Sequence, residues 1–399
     1  MAKIYRWVFV VGACIFLPSS LTNQDLQALT IPSNVNHSLT LSPWSQQIVE
    51  ETRQLVAGLF FSGKQVEVII EPYLREVMEQ VKEPTEEQLQ AVETAIKEIA
   101  SSYRQTLRAS MGPEQQILLS KAFALSLILH AGQPRARGDY RPYSIHVSGV
   151  VQLILGEFRL LEQVTYAEGI IDILAAVWLH DVIEDARKGK RGGMRWEELN
   201  KDEKGLREEI SDLIQQVTNS DVLQLVRNLS KPEPDALSDE ELSKFGMTRK
   251  DLEDKGKKDK LEDEIEKQHY LGLAEKHLGT QLIKAADLAF NLRDLINHPD
   301  RSFPRKFFRK RLGPVLGFLK KAKLSSYAKG CLVELIEASV RENNQANTRG
   351  NDPEKAPPVL DKQQILMLIH ARGVYLQAGQ MTPAGQEVNQ QQVQVLSAI

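Results

Sequence analysis

The 399-residue chain contains only two cysteines, Cys14 and Cys331. A disulfide framework needs several pairs of cysteines, and a cysteine-based zinc cluster needs three or four thiolates, so both are excluded. Any metal site in this chain must therefore be built from His, Asp and Glu.

An excess of charge of one sign is also missing. The chain has 50 Lys and Arg against 53 Asp and Glu, which gives a formal net charge of −3. A balance this close to neutral removes the usual electrostatic argument for a dedicated nucleic-acid binder, and we expect no nucleic-acid partner. The 42% hydrophobic content excludes wholesale disorder.

Long apolar runs are missing apart from one short run near the N-terminus. Lys3 and Arg6 precede apolar residues 7–17, and small polar residues follow. This order is typical of a secretory signal peptide, but the run is too short to span a bilayer of ~30 Å as a helix. Residues 1–22 are therefore either a signal-like segment that exports or tethers the chain, or a short N-terminal helix or a start codon placed too far upstream.

The pattern of apolar residues predicts an all-α fold. No stretch alternates as a half-buried strand does, and apolar residues recur at helical spacing. The chain divides into a signal-like segment (1–22), a linker (23–42), an N-terminal helical extension (43–112), a central helical domain (113–330), C-terminal helices (331–378) and a tail expected to be disordered (379–399). The highly charged stretch 230–268 is interpreted as a solvated helix face or a mobile insertion in the central domain.

The strongest chemical signal follows an apolar helical segment, residues 170–179. His180, Asp181, Glu184 and Asp185 come directly after it. If the helix continues, these four side chains fall within one sector, since each residue turns ~100°. Charged groups at the end of a buried helix need a metal, a cationic ligand group or an ion pair to offset desolvation. A last turn that simply emerges into water would produce the same pattern.

Two other segments carry polar residues of matching types. A loop rich in Gly, Arg and Pro, which includes Arg135 and Tyr143, leads into His146 at a predicted helix start. Further along, Asp287 and Asn291 are four residues apart in an apolar segment, so both lie on the same face of a helix.

In chain order, the candidates His146, His180-Asp181 and Asp287 provide two imidazoles and two carboxylates. Such a set suits Mn²⁺ or another borderline divalent ion. The order resembles the H…HD…D pattern of the HD-domain metal-dependent phosphohydrolases, which implies an HD-domain helical bundle. The extension to HDxxED resembles the hydrolase domain of the RelA/SpoT family.

Two further motifs support the resemblance, which covers about residues 113–330. The family's loop motif, H-x-G-Q-x-R…G…PY…H, is matched by His130, Gly132, Gln133, Arg135, Gly138, Pro142, Tyr143 and His146. The late motif, near KLADxxxNLRDL, is matched by residues 284–295.

The resemblance implies an enzyme that removes the 3′-pyrophosphate of guanosine 3′,5′-bis(diphosphate), ppGpp, or of pppGpp, to give GDP or GTP and pyrophosphate. It implies a divalent metal, of which Mn²⁺ is the first choice. The implied metal ligands are His146, His180, Asp181 and Asp287. The residues implied to position and activate the attacking water are Glu184 and Asp185. The residues implied to contact the substrate are Arg135, Tyr143 and Asn291.

Two alternatives share the same ligand set. One is an HD-domain phosphohydrolase that acts on another nucleotide, and the other is a non-catalytic nucleotide sensor. The full-length family enzymes carry a synthetase domain after the hydrolase, and the helices to about residue 343 leave little chain for one, so we expect no alarmone synthesis. An alarmone substrate implies a cytoplasmic enzyme, whereas membrane association or export would depend on residues 1–22.

Overall fold

The computed structural model describes residues 41–81, 83–110, 112–136, 139–157, 169–186, 203–296, 303–348, 360 and 362–376. The signal-like segment (1–22), the linker up to residue 40 and the predicted tail (379–399) lie outside these ranges. Within them, α-helices account for nearly all of the regular structure, which confirms the predicted all-α class.

The regular elements follow one another as helices with a single two-stranded hairpin among the described residues. They are α1 (Pro43–Phe61), α2 (Val66–Arg75), α3 (Glu86–Arg108), α4 (Pro113–Leu129), β1 (Pro134–Ala136), β2 (Asp139–Pro142), α5 (Ser144–Gln152), α6 (Ile170–Leu179), α7 (Val182–Asp185), α8 (Glu203–Val217), α9 (Ser220–Leu229), α10 (Asp239–Lys244), α11 (Lys255–Leu273), α12 (Leu278–Ile296), α13 (Phe303–Lys321), α14 (Ser326–Thr348) and α15 (Lys362–Leu376).

Helices α4 and α6 form the centre of the fold. In α6 every residue except Asp172 is buried, and the Asp172 carboxylate accepts a hydrogen bond of 2.8 Å from the Asn219 side chain. A helix that is apolar on all sides must be covered on all sides, and α4, α5 and α9 pack around α6. The C-terminal end of α6, where His180 follows, is therefore deep inside the molecule.

The N-terminal helices share this core. Tyr103 of α3 stacks on Phe123 of α4 with ring centroids 4.2 Å apart, and Phe123 meets Trp178 of α6 edge-on at 4.8 Å. Aromatic pairs in these arrangements add to the free energy of area burial by ~0.5–1.5 kcal/mol each. The residues predicted as an extension (43–112) thus pack directly against the helices that position the candidate site.

The structure corrects the prediction for residues 132–142. The Gly, Arg and Pro content predicts a loop there, but β1 and β2 pair as an antiparallel hairpin, and Ala136 lies opposite Asp139. Strands of three and four residues are too short to show a period of two in the sequence. Gly132 precedes the hairpin with a φ of 74°, a conformation that favours glycine.

The charged stretch 230–268 has a small core of its own. Four buried side chains form it, and Phe245, Met247 and Leu252 pack against them; the four are Leu237, Leu242, Leu261 and Ile265. On the side facing the main domain, α11 packs along α13. A solvated helix face therefore describes only the outer side of this segment.

Towards the C-terminus, α14 packs along α12, the helix that carries Asp287. Helix α14 runs from Ser326 to Thr348 and so continues across the predicted boundary at residue 330. None of the helices in the described part of the chain combines the length and apolar character needed to cross a bilayer.

Candidate metal centre

Three separate parts of the chain deliver the candidate ligands to one buried place. His146 lies on α5, His180 and Asp181 form the turn after α6, and Asp287 lies on α12. The two imidazoles and the Asp287 side chain are buried, and Asp181 is partly buried. The structure thus brings together all four residues that the sequence predicted as metal ligands.

The ligand atoms converge at short distances. Asp181 Oδ2 lies 3.2 Å from His146 Nε2 and 3.2 Å from His180 Nε2, and the two Nε2 atoms are 3.3 Å apart. Asp287 Oδ1 lies 3.4 Å from His146 Nε2 and 4.0 Å from His180 Nε2. The cluster of His146, His180 and Asp181 can hold a metal ion, and Asp287 adjoins it.

These separations suit donors that share one ion. Ligands held ~2.0–2.2 Å from a single ion are roughly 3–3.5 Å from their neighbours, as simple tetrahedral or octahedral geometry requires. Four of the five distances given above between donor atoms fall in that range, and the fifth, from His180 Nε2 to Asp287 Oδ1, is 4.0 Å. A donor set of two imidazoles and two carboxylates at these distances fits a borderline divalent metal.

The ring of His180 is fixed by its backbone contact. His180 Nδ1 lies 2.8 Å from the Val177 carbonyl oxygen. Because a carbonyl only accepts hydrogen bonds, Nδ1 carries a hydrogen, and Nε2 is the nitrogen directed at the cluster. A bond from the outer nitrogen to a carbonyl is a common means of orienting a metal-binding histidine.

The two carboxylates of the cluster stabilise positive charge on the groups beside them. Burial lowers the pKa of His180, but the charges of Asp181 and Asp287 outweigh burial and raise it to about 9. Burial raises the pKa of Asp181, yet His180 and His146 hold it well below its usual value. The pKa of Asp287 is also lowered, since Lys284 outweighs the effect of burial. Both carboxylates are therefore ionised near neutral pH.

Asp287 is held by two donors on its own helix. Lys284 Nζ lies 2.8 Å from Oδ2, and the Asn291 side-chain amide donates to Oδ1 at 2.6 Å. Burial lowers the pKa of Lys284, but Asp287, Tyr270 and Glu184 raise it well above its usual value, so Lys284 remains charged. Sequence reasoning gave Lys284 no role, although its spacing three residues before Asp287 was the available signal.

Asn291, which was predicted to contact the substrate, touches protein groups in this structure. Besides donating to Asp287, its carbonyl oxygen accepts a hydrogen bond of 2.9 Å from Arg135. Arg135 also bonds Asp294 through Nε at 2.9 Å. These hydrogen bonds join β1 to α12 beside the cluster. The Arg135 guanidinium also lies 5.6 Å from the centroid of the Tyr143 ring.

Tyr143, also predicted to contact the substrate, bonds a residue of the candidate cluster directly. Its hydroxyl donates to Asp181 Oδ2 at 2.5 Å, and the side chain is buried. A donor on a ligand oxygen orients that carboxylate, so the tyrosine supports the ligand set from the hairpin side.

The structure corrects the predicted geometry of the HDxxED segment. Helix α6 ends at Leu179, His180 and Asp181 form a turn, and α7 starts at Val182, so the four polar residues do not continue one helix. Asp185 is buried, and Gln133 Nε2 donates to its Oδ2 at 3.1 Å. Gln133 accepts in turn from His130 Nδ1 at 2.7 Å. The charge of Glu184 acts on Lys284.

Phe290 closes the cluster on the side of α12. Its ring meets His146 edge-on, with centroids 5.1 Å apart. The ring occupies space that any side chain at position 149 would fill, because a Cβ built on Gly149 would lie 1.8 Å from Phe290 Cε2. Gly149 therefore allows α5 and α12 to approach closely enough for His146 and Asp287 to meet.

No family model, curated protein or solved structure matches this chain. The residues of the cluster and their geometry are therefore the basis for a functional proposal.

Proposed function

We propose that this chain is a metal-dependent phosphohydrolase that removes the 3′-pyrophosphate of ppGpp or pppGpp. The observation that carries the proposal is the convergence of His146, His180, Asp181 and Asp287 at one buried place. Lys284 pairs with Asp287, and a bound divalent ion would further offset the cost of burying two carboxylates and two imidazoles together. The choice of substrate comes from the resemblance of the three motifs to the RelA/SpoT hydrolase domain.

The four converging residues would hold a divalent metal, and the family resemblance makes Mn²⁺ the first choice. When bound, such an ion lowers the pKa of a coordinated water and draws charge from phosphoryl oxygens. Lys284 and Asn291 hold Asp287 in place, and Tyr143 holds Asp181.

Glu184 and Asp185 are the groups proposed to accept a proton from the attacking water. General-base assistance of this kind is typically worth ~10²–10⁴-fold in rate. Asp185 is positioned by Gln133, so its carboxylate has a fixed orientation next to the ligand turn. Glu184 is less buried than Asp185, and its charge acts on Lys284.

Arg135 is proposed to meet the phosphates of the substrate. A guanidinium has five N–H donors, and Asn291 and Asp294 leave some of them available for phosphate oxygens. The pair of aromatic rings beside it, Tyr143 and Phe290, confines the side chain to this edge of the cluster. An alarmone made in the cytosol also requires the enzyme to act there, so the proposed function implies a cytoplasmic location.

The test is pyrophosphate release from ppGpp by the full chain with Mn²⁺, in parallel with a panel of 5′-nucleotides. We expect release of pyrophosphate from ppGpp and its loss in Asp181→Ala, which removes one ligand. Tyr103→Phe is a matched control, since it removes a hydroxyl bonded to Ser120 away from the cluster.

Each other outcome identifies a different function. Turnover of 5′-nucleotides without ppGpp would indicate a phosphohydrolase for another nucleotide. Stoichiometric metal binding with no turnover of any nucleotide, and no effect of Asp185→Ala, would indicate a sensor. Unchanged metal content in Asp181→Ala and Asp287→Ala would contradict the metal site itself.

A further inference from the structure

Helix α15 has apolar side chains on all sides but is only partly covered. Residues 365–369 are five consecutive apolar residues, which a helix distributes around its whole circumference. Leu368 is buried against the domain, whereas Leu366 is 66% exposed and Ile369 42%. A helix of this composition is normally buried, so its outer face is a candidate contact surface.

The exposed apolar residues concentrate in this part of the molecule. Met367 is 37% and Val374 51% exposed on the same helix, and Phe303, at the start of α13, is 42% exposed. Among the described residues, only Phe61 and Val68 are large, apolar and comparably exposed elsewhere. Single exposed apolar residues are ordinary, but several on adjoining helices mark an interaction surface.

The neighbouring helix α13 presents positive charges on its exposed side. Arg305, Lys306 and Arg309 are exposed and form no ion pair with any residue in the described ranges. By contrast, Lys310 on the same helix pairs with Asp263 of α11 at 2.8 Å. Arg305 and Arg309 are four residues apart, so they lie on one face of the helix.

The apolar and basic groups adjoin each other. Gln364 Nε2 of α15 donates to the Phe308 carbonyl oxygen of α13 at 2.9 Å, next to Arg309. The Met367 Cε atom lies 3.7 Å from the position of a Cβ built on Gly313, which is on the same face as Lys306. The exposed side of α15 is therefore bordered by the basic side of α13.

We propose that this α13–α15 surface docks on an anionic lipid bilayer. The surface consists of Phe303, Arg305, Lys306, Arg309, Leu366, Met367, Ile369 and Val374. Apolar side chains that enter the acyl boundary, next to cations that meet lipid phosphates, are the combination that interfacial helices use. The proposal is independent of the metal centre and of residues 1–22.

Charge complementarity decides between the occupants of this surface. A second copy docked through the same surface would bring the cations Arg305, Lys306 and Arg309 of both copies into one interface whose named residues include no acid, and like charges would oppose the contact. A nucleic acid would meet the cations but leave the apolar side of α15 in water. An anionic bilayer satisfies both parts of the surface at once.

The contributions of the basic and of the apolar side chains can each be stated as a fold-change in affinity for the membrane. Each Lys or Arg near an anionic membrane strengthens binding about fivefold, and full burial of a leucine-sized side chain strengthens it at least about tenfold. Arg305→Gln with Lys306→Gln should therefore weaken binding about 25-fold. Leu366 and Ile369 are 66% and 42% exposed, which together amounts to about one whole side chain, so Leu366→Ser with Ile369→Ser should weaken binding by about tenfold or more.

The experiment is co-sedimentation of the full chain with mixed phosphatidylcholine–phosphatidylglycerol vesicles and with phosphatidylcholine vesicles. We expect binding to the mixed vesicles that weakens as salt is raised, and much weaker binding to the neutral ones. Val68→Ser and Lys97→Gln are matched controls, because both side chains are exposed on other helices. Thermal unfolding of every variant checks that its fold is intact.

Several results would overturn the proposal. No binding to mixed vesicles, or equal binding to both kinds of vesicle, would exclude an anionic bilayer as the partner. Binding that the α13–α15 variants leave unchanged would assign it to another part of the chain. A dimer that Leu366→Ser with Ile369→Ser dissociates, without vesicle binding, would show that a second copy covers the surface.

Discussion

The pKa of His180 leads to a quantitative prediction for metal binding. In the metal-free protein, Asp181 and Asp287 outweigh burial and raise this pKa to about 9, compared with 6.5 for an ordinary histidine. A divalent ion must displace the proton from Nε2, so binding releases a proton wherever His180 is protonated. The affinity for Mn²⁺ should therefore rise about tenfold per pH unit, or about 100-fold between pH ~6.5 and ~8.5.

The same pKa determines how the stability of the metal-free protein depends on pH. A histidine whose pKa is higher in the folded state contributes stability that is complete below pH ~6.5 and is lost as pH rises through about 9. The shift of about 2.5 units, 9 − 6.5, corresponds to about 3 kcal/mol in the free energy of unfolding at most. Bound metal should abolish this loss because it replaces the proton.

Isothermal titration calorimetry in buffers of different ionisation enthalpy measures both the affinity and the proton released. Asp181→Asn is the matched variant, since it removes the charge next to His180 and keeps the shape of the side chain. It should weaken binding and remove most of the pH dependence above neutrality. An affinity in the unaltered protein that stays constant above pH ~7, with no proton released, would refute the reasoning.

Three other predictions follow from contacts around the cluster. Gly149→Ala should destabilise the protein by about 1–3 kcal/mol in urea unfolding, because its Cβ overlaps Phe290, and Phe290→Leu should recover part of the loss; equal stability of Gly149→Ala would contradict the close packing. Asn291→Leu should lower Mn²⁺ affinity by about 10–100-fold in calorimetry, since Asp287 loses a donor, and an unchanged affinity would count against that role. Burial lowers the pKa of His269 to about 4, so stability should fall as pH drops from ~6.5 towards 4, and His269→Gln should flatten this part of the profile in thermal unfolding; a parallel profile for the variant would show that other groups cause it.

The ligand set of the candidate site could be predicted from the sequence because it depends on residue type. His146, His180, Asp181 and Asp287 are polar residues in apolar helical segments, a combination that few structural roles explain. Their convergence in space was not contained in any local pattern, since α5, α6 and α12 meet only through long-range packing. The resemblance of the motif order supplied that expectation, and the geometry agrees with it.

Other features depended on interactions that sequence patterns do not encode. Residues 170–185 are continuously compatible with a helix, so the turn at His180 was not predicted. Asn291 was correctly placed on the face of Asp287, but its two hydrogen bonds to protein groups depend on Arg135 from a distant hairpin. In the charged stretch 230–268, the four buried apolar residues are widely spaced along the sequence, so their pattern does not predict a core. They come together only in the folded structure, where α11 contributes two of them.

The measurement that tests the central claim most directly is the initial rate of pyrophosphate release from ppGpp as Mn²⁺ is added to the metal-free chain. The account predicts a rate that rises from background and saturates with one ion bound, and that Asp287→Asn abolishes because the ligand loses its charge. A rate that is independent of Mn²⁺, or that Asp287→Asn leaves unchanged, would contradict the assignment of this cluster as the catalytic metal centre.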